Sequence, residues 1–294
     1  MPELPEVETV RIGLAALLPG RRVAAVDFDW PKGFPNSDAD VQAHLVGARI
    51  SAVKRRAKVL LIELDSEYSL VIHLKMTGQL VFRGEQHFGA GHPNGSLVGE
   101  LPDKSTRVTF TFEDGSKLFF NDQRKFGWVR LLPTVEVPAI DFFQKVGPEP
   151  LADDFTAEAF TERLRRRNNS GIKAVLLDQT VVAGIGNIYA DESLWAAKIH
   201  PLSHVRDISD TQLRDLYAGL IKVLKLSIEK GGSTDRNYVD AEGKRGSYLT
   251  FANVFRREGK PCPRCQTTIV KLRVAGRGTH ICPHCQVVPP EKKS

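Results

Sequence analysis

Apolar positions near the amino terminus recur with the spacing of a helix. One face would carry Val7, Val10, Leu14 and Leu17, which are three or four residues apart. Pro5 suits the first turn of a helix, and Pro19-Gly20 cannot continue the pattern. The sequence therefore predicts a helix over residues 5–18.

From residue 22 to residue 132 the pattern changes to short apolar runs separated by turn residues. The runs that predict strands are 22–29, 48–54, 59–64, 70–74, 79–82, 107–112, 117–121 and 128–132. Glu113-Asp114-Gly115-Ser116 predicts a hairpin turn between two of them. Many short strands joined by turns indicate an antiparallel sandwich or barrel rather than a parallel sheet.

Residues 83–104 form a glycine-rich stretch among these strands, and it contains His87 and His92. We interpret it as a long surface loop. We do not expect its two histidines to bind a metal.

After Gly147-Pro148-Glu149-Pro150 the pattern becomes helical. The predicted helices are 156–167, 173–178, 188–197 and 210–230. Ser209 and Gln212 form a capping box before the last helix, and Gly231-Gly232 ends it. A loop over residues 233–251 leads into the carboxy-terminal segment.

The composition, with 41% hydrophobic and 26% charged residues, is that of a soluble globular protein. No stretch approaches the roughly 20 apolar residues that span a bilayer. Acidic residues also stand where a signal peptide carries basic ones. We therefore expect a cytosolic protein that does not bind membranes.

The net charge of +6 is concentrated in one part of the chain. From Asn253 to the end, nine Lys/Arg residues face only two acidic residues, Glu258 and Glu291. A basic segment of this kind is expected on a surface that meets a polyanion. A solvated basic tail is the alternative that charge alone leaves open.

All four cysteines lie in the same segment, as Cys262-Pro-Arg-Cys265 and, 16 residues later, Cys282-Pro-His-Cys285. Two Cys-x-x-Cys knuckles at this separation predict one four-thiolate zinc site per chain, with a structural role. Disulfides are the alternative, which a reducing cytosol disfavours. A redox pair is a second alternative, and no βαβ pattern surrounds the knuckles to support it. His284 lies within the second knuckle, although four sulfurs already complete the ligand set.

The chain begins Met1-Pro2-Glu3-Leu4-Pro5-Glu6-Val7-Glu8. Acidic residues and proline also suit the start of a helix for structural reasons alone. The functional interpretation is that removal of Met1 exposes the secondary amine of Pro2, which is partly unprotonated near pH 7. Such an amine can attack a sugar C1′, expel a base and form an iminium ion that promotes strand cleavage by β-elimination. Glu3, beside it, is placed to act as general acid or base.

The opening Pro2-Glu3-Leu4-Pro5-Glu6-Val7-Glu8-Thr9 resembles that of the formamidopyrimidine-DNA glycosylases. Four further motifs resemble signatures of that family in the same order, and they are His73-Leu74-Lys75-Met76-Thr77-Gly78, Asp122-Gln123-Arg124-Lys125-Phe126-Gly127, Gly184-Ile185-Gly186-Asn187-Ile188-Tyr189-Ala190-Asp191-Glu192 and Ala275-Gly276-Arg277-Gly278-Thr279-His280. The resemblance covers nearly the whole chain. It implies a repair enzyme that removes oxidised purines from duplex DNA and then cleaves the abasic strand.

The resemblance also implies a role for individual residues. Pro2 would be the Schiff-base nucleophile and Glu3 the proton donor, while Lys58 and Arg277 would be proton donors for β- and δ-elimination. Met76, Arg124 and Phe126 would fill the void left by the flipped base, with Arg124 facing the orphaned cytosine. The contacts to DNA phosphates would come from Lys173, Asn187 and Arg277. Without the resemblance, Met76 would be assigned to the core and Phe126 to a sheet.

The sequence departs from the family pattern at three places. The 83–104 stretch is longer than usual, Gln123 replaces a more familiar proline, and a short tail follows Cys285. None of them includes the predicted nucleophile.

Pattern and resemblance together predict an α+β multidomain protein. We expect an N-terminal catalytic β-sandwich with flanking helices (1–133), a linker (134–152), a helix–two-turn–helix DNA-binding domain (153–232), a lesion-capping loop (233–251), a zinc-binding β-hairpin (252–286) and a tail (287–294). We expect a monomer, located in the cytoplasm of a bacterial-type cell and associated with the nucleoid through DNA. The alternatives are an endonuclease VIII-like enzyme for oxidised pyrimidines and a zinc-ribbon protein that binds damaged DNA without cutting it.

Overall fold

The structure, a computed structural model, describes residues 2–92, 94–233 and 248–288. The chain divides into two compact units. Of the described residues, 2–144 and 228–233 belong to the first unit, and 145–227 and 248–288 belong to the second. Most of the predicted lesion-capping loop (234–247) and most of the predicted tail (289–294) lie outside the described residues.

The first unit begins with helix α1, Leu4–Leu17, which confirms the predicted amino-terminal helix to within one residue at each end. Nine strands follow: β1 Val23–Phe28, β2 Ile50–Arg56, β3 Val59–Leu64, β4 Tyr68–His73, β5 Gly78–Arg83, β6 His87–Gly91, β7 Thr106–Phe112, β8 Lys117–Asp122 and β9 Trp128–Pro133. Short helical segments are α2 Asp38–Asp40, a π-helical turn Val41–Leu45, 3-10 turns Gly95–Leu97 and Thr134–Ala139, and α3 Asp141–Lys145.

The nine strands form two antiparallel sheets, in the orders β1-β7-β8-β5-β6 and β2-β3-β4-β9. Buried residues of both sheets share one core, as Phe110 and Phe120 of the first sheet and Ile62 and Leu70 of the second show. The apolar face of α1 lies in the same core. The predicted β-sandwich is therefore confirmed.

Strand β6 corrects the prediction that residues 83–104 are a surface loop. It pairs with β5 at the edge of the five-stranded sheet, and Phe88 is 3% exposed. The ring of Phe88 occupies the place where a Cβ on Gly13 of α1 would lie. The missing side chain at Gly13 thus creates a site for Phe88 that the sequence of the loop alone could not reveal.

The second unit contains α4 Ala157–Arg165, α5 Ile172–Leu177, α6 Asn187–Ala196 and α7 Asp210–Glu229, of which the last residues belong to the first unit. These helices agree with the predicted ones to within two residues, and 3-10 turns occupy Val205–Asp207 and Tyr248–Thr250. The capping box before α7 is confirmed, because Ser209 N–H donates to Gln212 Oε1 and Gln212 N–H donates to Ser209 Oγ, both at 3.2 Å. Gly231 and Gly232 follow α7 with φ of 74° and 85°, a conformation that favours glycine.

A hairpin of β10, Val270–Val274, and β11, Arg277–Ile281, completes the described part of the second unit. No helix in the described residues is long and apolar enough to span a bilayer.

Candidate functional site

The start of α1 holds two buried carboxyl groups next to Pro2. Glu3 is 3% exposed and Glu6 is 6% exposed. Glu6 Oε2 accepts a hydrogen bond from Glu3 N–H at 2.8 Å, and Glu6 Oε1 accepts one from Ser233 N–H at 2.8 Å. Pro2 is itself buried. The backbone N–H of Glu3, the residue after the predicted nucleophile, is therefore held by the first turn of the helix.

Lys58 lies in the turn between β2 and β3, and it is 6% exposed. Ala57, in the same turn, has a φ of 55°. Arg55 donates from one guanidinium to Ala57 O and to Glu8 Oε2 of α1, both at 2.8 Å. Because Arg55 donates hydrogen bonds to both Ala57 and Glu8, it connects the turn that carries Lys58 to helix α1.

The three predicted void-filling residues lie in two adjacent loops of the first unit. Met76 is in the loop after β4, and Arg124 and Phe126 are in the loop after β8. Phe126 is 53% exposed, and the guanidinium of Arg124 lies 4.9 Å from the centre of its ring. An exposed aromatic ring covered by a cation is suited to stacking against bases.

A single buried carboxylate joins these two loops. Asp122 is 1% exposed. Its Oδ1 accepts hydrogen bonds from the hydroxyl of Thr77 and from the backbone N–H of Arg124. Its Oδ2 accepts a hydrogen bond from the backbone N–H of Gly127 at 2.7 Å. Thr77 Oγ1 in turn accepts from Arg124 N–H at 3.0 Å. A Cβ on Gly127 would lie 2.7 Å from the Phe120 ring. This arrangement, the Asp122 clamp, holds the backbone of the loop after β8 and the Thr77 side chain of the loop after β4, and it uses no side-chain atom of Met76, Arg124 or Phe126.

His73, at the end of β4, is buried between Trp128 and Phe142, whose ring centres lie 5.7 and 5.8 Å away. Burial, reinforced by the charges of Lys75 and Lys58, lowers the pKa of His73 to about 3. The ring is therefore neutral near pH 7, and its Nδ1 accepts from Lys75 N–H at 3.0 Å. The sequence placed His73 in a motif but did not predict that its ring is buried and neutral.

In the second unit, Lys173 is fully buried, although the resemblance implied a contact with DNA. Its ammonium donates to Asp191 Oδ1 of α6 and to Thr279 Oγ1 of β11, each at 2.6 Å. Asp191 Oδ2 also accepts from His280 N–H at 2.9 Å. In this structure the ammonium of Lys173 thus connects two helices to the zinc hairpin and does not lie on the surface.

The turn between α5 and α6 is organised by Gln179. Its Oε1 accepts from Gly184 N–H at 3.0 Å, and its Nε2 donates to Ile185 O at 2.7 Å. Gly184 has a φ of 80°. Asn187 begins α6, and its Nδ2 donates to Gly278 O of the hairpin at 2.9 Å. The structure therefore places Asn187 beside Gly278, the residue that follows Arg277.

Arg277 opens β11 directly after a two-residue turn. Ala275 and Gly276 have φ of 50° and 72°, and Val274 pairs with Arg277 across the hairpin. Two positive φ values in a two-residue loop are those of a type I′ turn. The turn places the exposed side chain of Arg277 at the tip of the hairpin.

The four cysteine sulfurs converge, with all Sγ atoms within 4.8 Å of one another. The Cys265 Sγ lies 3.4 Å from that of Cys282 and 3.5 Å from that of Cys285. In a tetrahedral zinc site with Zn–S bonds of about 2.3 Å, the sulfurs lie about 3.8 Å apart. The donor set and its spacing therefore fit one structural zinc, held by Cys262, Cys265, Cys282 and Cys285.

Several buried carboxylates that support these residues were not identified from the sequence. Glu192, fully buried, accepts from the N–H groups of Val254 and Phe255 at 2.8 Å and so holds the segment that leads into the zinc hairpin. Asp122, Asp191 and Glu6 act in the same way elsewhere. Each is an acidic residue inside a motif, which was the available signal, but its partners were not predictable.

Nearly the whole chain is similar to known proteins. Three family models match: the formamidopyrimidine-DNA glycosylase N-terminal domain at residues 1–129, the H2TH domain of the same glycosylases at 146–238, and a zinc finger found in FPG and IleRS at 259–287. A formamidopyrimidine-DNA glycosylase of Chloroflexus aurantiacus is 45% identical over 98% of each chain.

Solved structures of related proteins agree. A mutant of the Lactococcus lactis FPG in complex with a Fapy-dG containing DNA has a TM-score of 0.85 at 35% identity, over 97% of this chain and 100% of that one. MutM in complex with carbocyclic 8-oxo-G containing DNA has a TM-score of 0.84 at 35% identity, with the same coverage.

Proposed function

Because the chain belongs to the formamidopyrimidine-DNA glycosylase family, we propose that it removes oxidised purines from duplex DNA and then cleaves the abasic strand by β,δ-elimination. The observation that carries the proposal is the start of α1, where the buried Pro2 directly precedes Glu3, the buried N-cap residue of the helix. Relatives bound to DNA containing Fapy-dG and 8-oxo-G support the choice of 8-oxoguanine and formamidopyrimidines as lesions.

In the proposed mechanism the Pro2 nitrogen, after Met1 is removed, attacks C1′ of the damaged nucleotide. The N–C1′ bond forms, and the base leaves with the electron pair of its glycosidic bond; the proton that the amine nitrogen loses balances the proton that the base takes up. Glu3 is the proton donor that assists sugar-ring opening, which yields an iminium ion on Pro2. Loss of a C2′ proton then expels the 3′ phosphate, and a second elimination expels the 5′ phosphate. Lys58 and Arg277 are the proposed proton donors for these two steps.

The void left by the extruded nucleotide is filled in this proposal by Met76, Arg124 and Phe126. Their support is the Asp122 clamp, which holds both loops in register while the side chains enter the stack. Arg124 faces the orphaned cytosine, so the preferred substrate carries the oxidised purine opposite cytosine.

In the second unit, Asn187 and Arg277 are the proposed phosphate contacts. This proposal is supported by the hydrogen bond from Asn187 to Gly278, which joins the start of α6 to the hairpin tip. Lys173 contributes indirectly, because its bond to Thr279 holds the strand that carries Arg277. The zinc ion stabilises the hairpin and takes no part in the reaction.

We propose that the domains have the limits predicted from the sequence, and that residues 233–251 cap the lesion. One nucleophile per chain needs no partner subunit, so we propose a monomer. We also propose that it acts in the cytoplasm, on nucleoid DNA.

The test is borohydride trapping of Met1-processed protein on a duplex with one 8-oxoguanine opposite cytosine. Borohydride reduces the iminium ion to a stable amine, so we expect a covalent adduct that maps to Pro2. Pro2→Gly and a form that retains Met1 serve as controls, and the latter should give no adduct. Excision without any adduct would remove Pro2 as nucleophile, and faster excision from duplexes with oxidised pyrimidines would favour the endonuclease VIII-like alternative.

A further inference from the structure

A second buried carboxylate, Glu6, lies beside the proposed nucleophile, and the mechanism above does not use it. Both of its oxygens are held, one by Glu3 N–H and the other by Ser233 N–H, at 2.8 Å each. An ionised carboxylate offers only acceptors, which suits two N–H donors. At 6% exposure, its charge is poorly screened by water.

The hydrogen bond to Glu3 sets a limit on the distance from Glu6 to the Pro2 nitrogen. Backbone nitrogens of consecutive residues are at most about 3.7 Å apart, given the standard bond lengths. With Glu6 Oε2 at 2.8 Å from the Glu3 nitrogen, its distance from the Pro2 nitrogen is at most about 6.5 Å. At this range a buried charge acts strongly on a nitrogen that becomes a cation.

We propose that Glu6 is a positioning residue whose fixed negative charge stabilises the cationic forms of the Pro2 nitrogen, both the ammonium ion before reaction and the iminium ion after it. This inference rests on the proposed function of Pro2. The two effects oppose each other in the observed rate. The carboxylate keeps more of the amine protonated at low pH, and it lowers the free energy of the iminium ion once the amine has reacted.

The elements packed against α1 carry other charged groups. Glu3 adds a carboxyl group at the N-cap of α1, and Glu8 of α1 is paired with Arg55 of β2. Lys58 is on the β2–β3 turn, and His92 follows β6. Burial lowers the pKa of His92, the charge of the amino terminus lowers it further, and Asp122 opposes both. A substitution of Glu6 alone changes one of these charges and leaves the others in place.

The test measures the pH dependence of single-turnover excision of 8-oxoguanine for the parent and for Glu6→Gln. Removal of the charge should move the acid limb of the profile to lower pH by about one to two units, from Coulomb's law at an effective dielectric constant near 20. The rate on the plateau above that limb should fall about 10- to 100-fold, because the iminium ion loses its counter-charge. The borohydride-trapped fraction should fall with it.

Two further variants separate charge from structure. Glu6→Asp keeps the charge while altering both hydrogen bonds, and its acid limb should stay near that of the parent. Glu63→Gln removes a carboxylate that pairs with Lys54 on the β2–β3 pair at 2.8 Å, and it should change neither limb nor plateau. Binding to a duplex with a tetrahydrofuran abasic analogue checks that each variant is folded.

An acid limb that stays in place in Glu6→Gln would overturn the inference, as would an equal shift in Glu6→Asp and Glu6→Gln. If the parent itself gives no adduct at Pro2, the proposed function fails before Glu6 is tested. A parent that traps at Pro2 with a Glu6→Gln profile like its own leaves the function intact and removes only the role of Glu6.

Discussion

The Asp122 clamp makes a prediction whose size follows from the atoms involved. In Asp122→Asn, Oδ1 remains an acceptor for Thr77 and Arg124, while an NH2 group replaces Oδ2 and faces the N–H of Gly127. The variant therefore loses one hydrogen bond to a charged group and leaves a buried donor without an acceptor. We expect the free energy of unfolding to fall by about 2–3 kcal/mol.

The assay is urea unfolding, together with binding to a duplex that carries a tetrahydrofuran abasic analogue opposite cytosine. The affinity should fall about 10-fold, equivalent to about 1.4 kcal/mol, because the loops proposed to fill the void lose their fixed backbone. Asp114→Asn is a matched control, since Asp114 accepts from Ser116 N–H in a similar turn but is 51% exposed. It should cost less than about 1 kcal/mol. If Asp122→Asn is as stable as Asp114→Asn and binds as the parent does, the clamp has no such role.

Three further changes test the rest of the structure. Lys173→Met removes the ammonium partner of Asp191 in a fully buried site, so the free energy of unfolding in urea should fall by about 3–5 kcal/mol. His73→Asn keeps an acceptor for Lys75 N–H but removes a ring that is protonated below about pH 6.5 when unfolded and only below about 3 when folded. As pH falls from about 6.5 to about 3, protonation of this ring in the unfolded state should therefore cost the parent up to about 1.4 kcal/mol of stability per pH unit. The variant lacks the ring, so its free energy of unfolding should fall less steeply over the same range. Removal of zinc by a chelator should unfold the β10–β11 hairpin, seen as proteolysis within residues 259–287, and abolish DNA binding.

Each of these has an outcome that would contradict it. A loss below about 1 kcal/mol in Lys173→Met would show that the site is not closed to water, and Lys173→Met with Asp191→Leu should recover part of the loss. Parallel stability–pH curves for the parent and His73→Asn would show that the ring titrates normally. Tight DNA binding without metal would mean that the hairpin does not depend on the four thiolates.

Where a pattern is local, the sequence predicted the fold closely. The limits of β3 were predicted to the residue because Val59–Leu64 is an apolar run with a turn on each side. β6 was missed because Gly89 and Gly91 resemble a turn, and only Phe88 and Ala90 mark the buried face. Its stability depends on a gap at Gly13, which is 75 residues away in the sequence.

The candidate site divides in the same way. Motifs identified the residues that carry the proposed chemistry, but not the carboxylates that hold them. Asp191 bonds to His280, 89 residues later, and Glu6 bonds to Ser233, 227 residues later. Such distant pairs have no periodic signal. Burial of Lys173 was unforeseen for this reason, since its acidic partner is on another helix.

The Asp122 clamp also bears on which positions of this chain can change without altering the loop after β8. It grips the loop after β8 through main-chain N–H groups of Arg124 and Gly127, so no side-chain atom of residue 124 contributes to the grip. In the proposed function Arg124 faces the orphaned base, so replacement of its side chain is expected to alter which base is tolerated across from the lesion while the loop keeps its shape. Thr77, Asp122 and Gly127 have no such latitude, since each is a structural part of the grip. If Arg124 has its proposed role, base preference can therefore change at one position while Thr77, Asp122 and Gly127 stay constrained.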